Sequence, residues 1–126
     1  MTEDSKIKIL LVDDDKFLLD MYSLKFKKSG IDIDTFSSST VALDKIREVN
    51  DYNLILLDII MPGMDRIEIL KKIREEKLVP GAKIVMLTNQ AEEIEKAKEL
   101  GVSGYIIKAT TIPSEVVEKV VEIFKK

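Results

Sequence analysis

The chain has 126 residues, 20 basic and 23 acidic, for a net charge of −3, with 45% apolar and 34% charged residues. That size suits one domain around one core, and the near-balanced charge offers no general attraction to nucleic acid or to an anionic membrane. With no cysteine and no histidine, disulfides, thiol catalysis, thiolate metal sites and imidazole chemistry are excluded, so any chemistry falls to carboxylates, hydroxyls, lysine and arginine. No apolar stretch approaches the roughly 20 residues needed to span a bilayer. The N-terminus, "MTEDSKIKILLVDDD", puts acids ahead of a short apolar run, which is not the pattern of a secretory signal. A cytoplasmic protein is expected.

In chain order, "KILLV" (8–12) reads as a buried strand ending at Asp13. Phe17, Leu18, Met21, Tyr22, Leu24 and Phe26 then recur at helical spacing up to the stop signal Ser29-Gly30. "IDIDTF" (31–36) alternates with period two, as a half-exposed edge strand does. "SSST" supplies hydroxyl caps for a helix carrying Val41, Ala42, Ile46 and Val49. "NLILLD" (53–58) is a strand apolar on both faces that ends in Asp58, and Asp65 is the expected N-cap of a helix with Ile67, Leu70 and Ile73 on one face.

After a Pro80-Gly81 turn, "KIVMLT" (83–88) is another buried strand. Ala91, Ile94, Ala97 and Leu100 make a thin apolar stripe on a charged helix closed by Gly101, and "GYIIK" (104–108) is a fifth strand. Pro113-Ser114 starts a last helix with Val116, Val117, Val120, Val121 and Phe124 on one side; valine favours strand by propensity, but the i, i+4 spacing argues helix. The alternation predicts an α/β fold: a flavodoxin-like doubly wound (βα)5 sandwich with a five-stranded parallel sheet in the order 2-1-3-4-5. No second-domain linker interrupts it, so residues 1–126 are expected to form a single domain.

In such a sheet, ligands bind beyond the carboxyl ends of the strands. The residues at those ends are Asp13-Asp14-Asp15 after the first strand, Asp58 after the third, Thr88 after the fourth and Lys108 after the fifth. Clustered carboxylates repel unless a cation intervenes. Mg²⁺ takes oxygen ligands, one or two carboxylates among them, together with phosphate oxygens and water. A carboxylate, a hydroxyl and an ammonium beside such an ion suit phosphoryl transfer, which needs mainly positioning and charge neutralisation. The carboxylate can itself be the nucleophile.

"LLVDDD", "LILLDIIMPGMD", "VMLT" and "GYIIK", in that order and at those strand ends, resemble the receiver domain of two-component response regulators over nearly the whole chain. The resemblance implies a phosphorelay component of the single-domain chemotaxis or sporulation type, stand-alone or excised from a longer chain. It implies Asp58 as phospho-acceptor and Asp13, Asp14, Asp58 and the Ile60 backbone carbonyl as ligands of Mg²⁺, with Mn²⁺ able to substitute. Lys108 and Thr88 would hold the phosphoryl oxygens, and Thr88 and Tyr105 would form the switch. The implied partners are a sensor histidine kinase or phosphotransfer protein and a downstream protein target, with no nucleic acid and no membrane. The implied state is a monomer or a weak dimer. The output face would comprise the helix from Ala91 to Leu100, strand five and the last helix. The implied chemistry is self-catalysed transfer to Asp58 and slow autodephosphorylation, without turnover of an external substrate.

Asp15 is left out of the site as a helix N-cap. Two departures from the family pattern stand out: Arg66 where Gly is usual, and Ala109 where Pro with a cis peptide is usual. The Lys108–Ala109 bond is expected to be cis so that Lys108 points into the site. Ile60 and Gln90 sit two residues past Asp58 and Thr88, and an apolar Ile60 is expected to shield the phosphoryl group from water. "LLVDDDKF" also partly resembles the Asp-x-Asp motif of haloacid-dehalogenase-type phosphatases, with Asp13 as nucleophile and Asp15 as acid, although Phe17 stands where Thr or Val is usual. A binding-only pseudo-receiver and a flavodoxin-like cofactor binder are further alternatives. The full Asp-Asp-Thr-Lys set argues against the first, and the lack of a phosphate-cradling loop after strand one against the second.

Overall fold

The computed structural model describes residues 7–13, 15–49, 51–58, 66–78, 81–88, 98, 101–107 and 112–125, with backbone only at 58, 66–68 and 88. The elements are β1 (Lys8–Val12), α1 (Lys16–Lys28), β2 (Asp32–Phe36), α2 (Ser39–Val49), β3 (Leu54–Asp58), α3 (Arg66–Glu75), β4 (Lys83–Thr88), β5 (Gly104–Ile107) and α4 (Pro113–Lys125). The sheet order is β2-β1-β3-β4-β5, and every pairing is parallel. This is the expected doubly wound flavodoxin-like arrangement. The expected helix from Ala91 to Leu100 lies outside the described residues, except that Lys98 is helical.

The central strands are apolar throughout because successive side chains point to opposite faces and both faces are covered. Leu10, Val12, Ile55, Leu57, Ile84 and Met86 face α2 and α3, against Ala42, Leu43, Ile46, Ile69, Leu70 and Ile73. Ile9, Leu11, Leu54, Leu56, Val85, Leu87 and Ile106 face α1 and α4, against Leu19, Tyr22, Phe26, Val116, Val117 and Val120. Fully burying one such side chain stabilises the fold by about 1.5–3 kcal/mol. The strand-prone valines of α4 are therefore helical because their stripe meets the sheet.

Two helices bury only part of the apolar set read from the sequence: Tyr22 and Phe26 in α1 and Ala42 and Ile46 in α2 are buried as expected, but other members are not. In α1 the buried residues are Leu19, Tyr22 and Phe26, while Phe17 and Leu24 are exposed. Phe17 and Leu24 are seven residues apart, so they share one side of the helix, and that side lies opposite the Leu19–Phe26 stripe. In α2 the buried apolar residues are Ala42, Leu43 and Ile46, and Val41 is exposed. Apolar residues occupy both sides of these helices, and only packing against the sheet chooses between them. In α3, Leu70 and Ile73 are fully buried as expected, and Ile69 is buried with them.

Helix ends follow local chemistry. Asp15 caps α1 as expected, its Oδ1 accepting from the N–H groups of Phe17 at 3.0 Å and Leu18 at 3.3 Å. The hydroxyl of Ser38 accepts weakly from Val41 N–H at 3.4 Å at the start of α2. At the end of α1, Gly30 adopts φ +78° and its N–H donates to the Lys27 carbonyl at 3.0 Å, a left-handed turn that glycine enters without a Cβ penalty. Asp65, the expected N-cap of α3, lies outside the described residues.

The N-terminal ends of the three central strands are tied by one residue. Asn53, expected as part of the third strand, instead precedes β3. Its N–H donates to the Lys8 carbonyl at 2.9 Å and its own carbonyl accepts from Lys83 N–H at 3.0 Å. Its side-chain Oδ1 also accepts from Lys8 N–H at 2.8 Å. Beside it, Tyr52 is buried and its hydroxyl donates to Asp34 at 2.7 Å. These contacts set the register that decides which residues meet at the opposite rim.

Candidate functional site

At the C-terminal rim, Val12 pairs with Leu57, Asp58 with Leu87 and Thr88 with Ile107. Asp13 follows the first of these strands directly, Asp58 and Thr88 are the last residues of β3 and β4, and Lys108 follows the last residue of β5. Neighbouring strands run about 4.8 Å apart. The backbone therefore carries Asp13 and Asp58 to adjacent strand ends, with Thr88 one strand further on. The side chains of Asp58 and Thr88, and all of Asp14, Ile60, Gln90, Lys108 and Ala109, lie outside what is described, as does the Lys108–Ala109 bond.

Asp13 is the described acidic side chain of the site. It is 0% exposed, an unusual place for a carboxylate, since burying its charge is costly without compensation. Its position is fixed twice. Its backbone N–H donates to the Phe36 carbonyl of the edge strand at 3.1 Å, and its Oδ1 accepts from Asp15 N–H at 3.0 Å. Asp13 and Asp15 thus divide their roles: Asp13 is buried at the rim, and Asp15 caps α1.

Among the described residues no cluster of three acidic side chains gathers at the rim. The described donor there is the Asp13 carboxylate, held out of water beside the strand that closes in Asp58; its oxygens suit a hard divalent cation. Such ions take carboxylate and carbonyl oxygens.

Tyr105 stands apart from the core. Ile106 beside it is buried at 2%, whereas the Tyr105 ring is 45% exposed, with the Lys98 ammonium 5.8 Å from its centroid. In the sequence, Lys98 is one of several charged residues ahead of Gly101, and only its place seven residues before Tyr105 sets it in reach of that ring.

The described ionisable groups with resolved shifts lie away from the rim. Burial, and then its hydrogen bond to Asp34, raises the Tyr52 phenol. The hydrogen bond to Asp51 raises the Lys8 ammonium. The Arg47–Glu76 pair, joined through Nε at 2.8 Å and through Nη2, raises the guanidinium and lowers the carboxyl. Of these groups Tyr52 is buried, while the Lys8–Asp51 and Arg47–Glu76 pairs are exposed to solvent, where such pairs contribute little to stability.

A parallel 2-1-3-4-5 sheet with a buried carboxylate just after β1 and an aspartate closing β3 defines a doubly wound α/β domain with acidic groups at its C-terminal rim. The model of the response regulator receiver domain matches residues 9–121, and the chain belongs to that family, whose members undergo phosphorylation on aspartate. It is 36% identical over 128 residues to the transcriptional regulatory protein ResD of Bacillus subtilis, covering 100% of this chain and 51% of that protein. It is 36% identical over 121 residues to the alkaline phosphatase synthesis transcriptional regulatory protein PhoP of the same organism, covering 94% and 49%. The chain thus spans about half the length of these curated relatives. Among solved structures it is similar to the chemotaxis response regulator CheY4 of Vibrio cholerae, with a TM-score of 0.84 at 25% identity, covering 94% of this chain and 98% of that one. Among the described residues, no helix is long and apolar enough to cross a membrane.

Proposed function

We propose that residues 1–126 form one receiver domain that takes a phosphoryl group onto Asp58 from the phosphohistidine of a sensor kinase or phosphotransfer protein. The observation that carries this reading is the fully buried Asp13 carboxylate beside the strand that closes in Asp58. A carboxylate oxygen of Asp58 attacks phosphorus, the P–N bond to the donor imidazole breaks, and an acyl phosphate forms. Asp13, Asp14, Asp58 and the Ile60 carbonyl would hold Mg²⁺, or Mn²⁺ in its place. When bound, the ion supplies positive charge against the phosphoryl oxygens. Lys108 and Thr88 hold those oxygens from the β5 and β4 side.

Engagement of Thr88 then biases the Tyr105 ring, and with it the face made by the segment before β5, β5 itself and α4. That is a local charge event read out by a two-state surface. A downstream protein in the cytoplasm reads this face, and slow hydrolysis of the acyl phosphate resets it. Labelling with radioactive acetyl phosphate and Mg²⁺ tests the reading. Wild type is expected to take up label and Asp58→Asn to take up none; undiminished labelling of the variant would sink the proposal and revive a nucleophile at Asp13.

A further inference from the structure

Tyr105 is half exposed whereas Ile106 beside it is buried in the core, and what lies over the tyrosine is a cation. The Lys98 ammonium sits 5.8 Å from the ring centroid, inside the roughly 6 Å over which the negative face of an aromatic ring attracts a cation. The lysine is carried on a braced backbone. Its carbonyl accepts from Gly101 N–H at 3.0 Å, Gly101 takes φ +80° to make that turn, and the Gly101 carbonyl accepts from Nη2 of Arg74 in α3 at 2.8 Å. Two residues further on, Ser103 N–H donates to the Ile84 carbonyl at 2.7 Å, which fixes the entry to β5. Lys98 is therefore linked through Gly101 to α3, and the entry to β5 is linked through Ser103 to the start of β4.

We infer that Lys98 is a positioning residue for the switch: its ammonium, braced through Gly101 by Arg74, holds the Tyr105 ring outward and so favours the unphosphorylated state. The inference rests on the reading of Tyr105 as the switching aromatic. A ring that turns inward leaves the cation, so any ligand that favours the inward state works against this contact. A contact of this kind at an exposed site corresponds to a population ratio of about 2- to 5-fold.

The composition supplies an assay. The chain has three tyrosines and no tryptophan, and Tyr22 and Tyr52 are 2% and 3% exposed against 45% for Tyr105. Quenching of tyrosine fluorescence by acrylamide, a neutral quencher, therefore reports on Tyr105, and Tyr105→Leu identifies its share of the signal. In wild type, Mg²⁺ with beryllofluoride is expected to lower the quenching. Lys98→Met, an exposed substitution that keeps the aliphatic stem, is expected to lower it already at rest and to tighten beryllofluoride binding about 2- to 5-fold. Lys98→Arg, which keeps the cation, is expected to behave as wild type. If Lys98→Met matches wild type in both resting quenching and beryllofluoride affinity while wild type still responds to beryllofluoride, the role of Lys98 is overturned and the switch reading stands. If beryllofluoride binds wild type without changing its quenching, the reading of Tyr105 itself fails, and the role of Lys98 with it.

Discussion

Removing one side-chain acceptor from Asn53 measures how firmly the strand register is held. Its Oδ1 is the hydrogen-bond acceptor of Lys8 N–H at 2.8 Å, while its backbone groups serve the Lys8 carbonyl and Lys83 N–H. Asn53→Ala deletes only the first of these bonds. A desolvated donor left without an acceptor costs about 1–3 kcal/mol. Because this contact is partly buried, water reaches part of the vacated space, and the lower half of that range, about 1–2 kcal/mol, is expected. For a chain of this length that is roughly 4–8 °C in Tm. In urea it is a fall in midpoint of about 0.5–1 M at unchanged slope. Asn53→Asp keeps an oxygen in the same place and is expected to recover most of the loss at neutral pH. Because the clamp sits at the end of the sheet opposite the rim, the folded fraction of Asn53→Ala should still be labelled at the wild-type rate. An Asn53→Ala midpoint indistinguishable from wild type, or an Asn53→Asp variant as unstable as Asn53→Ala, would refute the idea that this acceptor holds the register.

Tyr52 gives a pH signature. Its phenol is raised above the ordinary value of 10.0 by burial and by the hydrogen bond to Asp34, so the folded state keeps a proton that the unfolded chain has lost. That contribution is complete below pH 10 and is lost as pH rises toward the folded value. Wild type should lose stability above about pH 10 more steeply than Tyr52→Phe, and parallel alkaline unfolding curves would contradict this. At Gly104, a Cβ would lie 2.8 Å from Ile123 Cδ1 and 3.4 Å from Cγ1. Gly104→Ala should cost under about 1 kcal/mol, because the Ile123 tip can turn away, and Gly104→Val about 1–3 kcal/mol as α4 is pushed off β5. Thermal unfolding separates the two, and a Val variant as stable as wild type would show the packing to be loose. Ile60→Asn is expected to shorten the lifetime of the phosphorylated form by admitting water, measured as loss of label after removal of the donor; an unchanged or longer lifetime would count against shielding by Ile60.

The strand ends were legible in the sequence because they depend on one dimension only. An apolar run stops, a carboxylate or hydroxyl follows, and a parallel sheet brings those stops to one rim. Asp13, Asp58 and Thr88 could be assigned to strand ends for that reason, and Asp15 to a cap from its position at a helix start. The face each helix buries was less legible. The α1 sequence is apolar at Phe17 and Leu24 as well as at Leu19, Tyr22 and Phe26, and only packing into the core cluster on that face of the sheet selects the second set. Asn53 looked like the first residue of a strand, since nothing local reveals that its amide reaches a backbone 45 residues away. Lys98 was opaque for the same reason: its contact with Tyr105 depends on how the chain turns at Gly101 and on an arginine from α3.

The central claim is that the aspartate closing β3 becomes phosphorylated. Wild-type protein incubated with acetyl phosphate and Mg²⁺, trapped by borohydride reduction of the acyl phosphate and mapped by peptide mass spectrometry, tests it directly. Modification is expected at Asp58, and is expected to vanish when the divalent cation is chelated. Modification at Asp13 or Asp15, or trapping at Asp58 that persists without a divalent cation, would contradict the account.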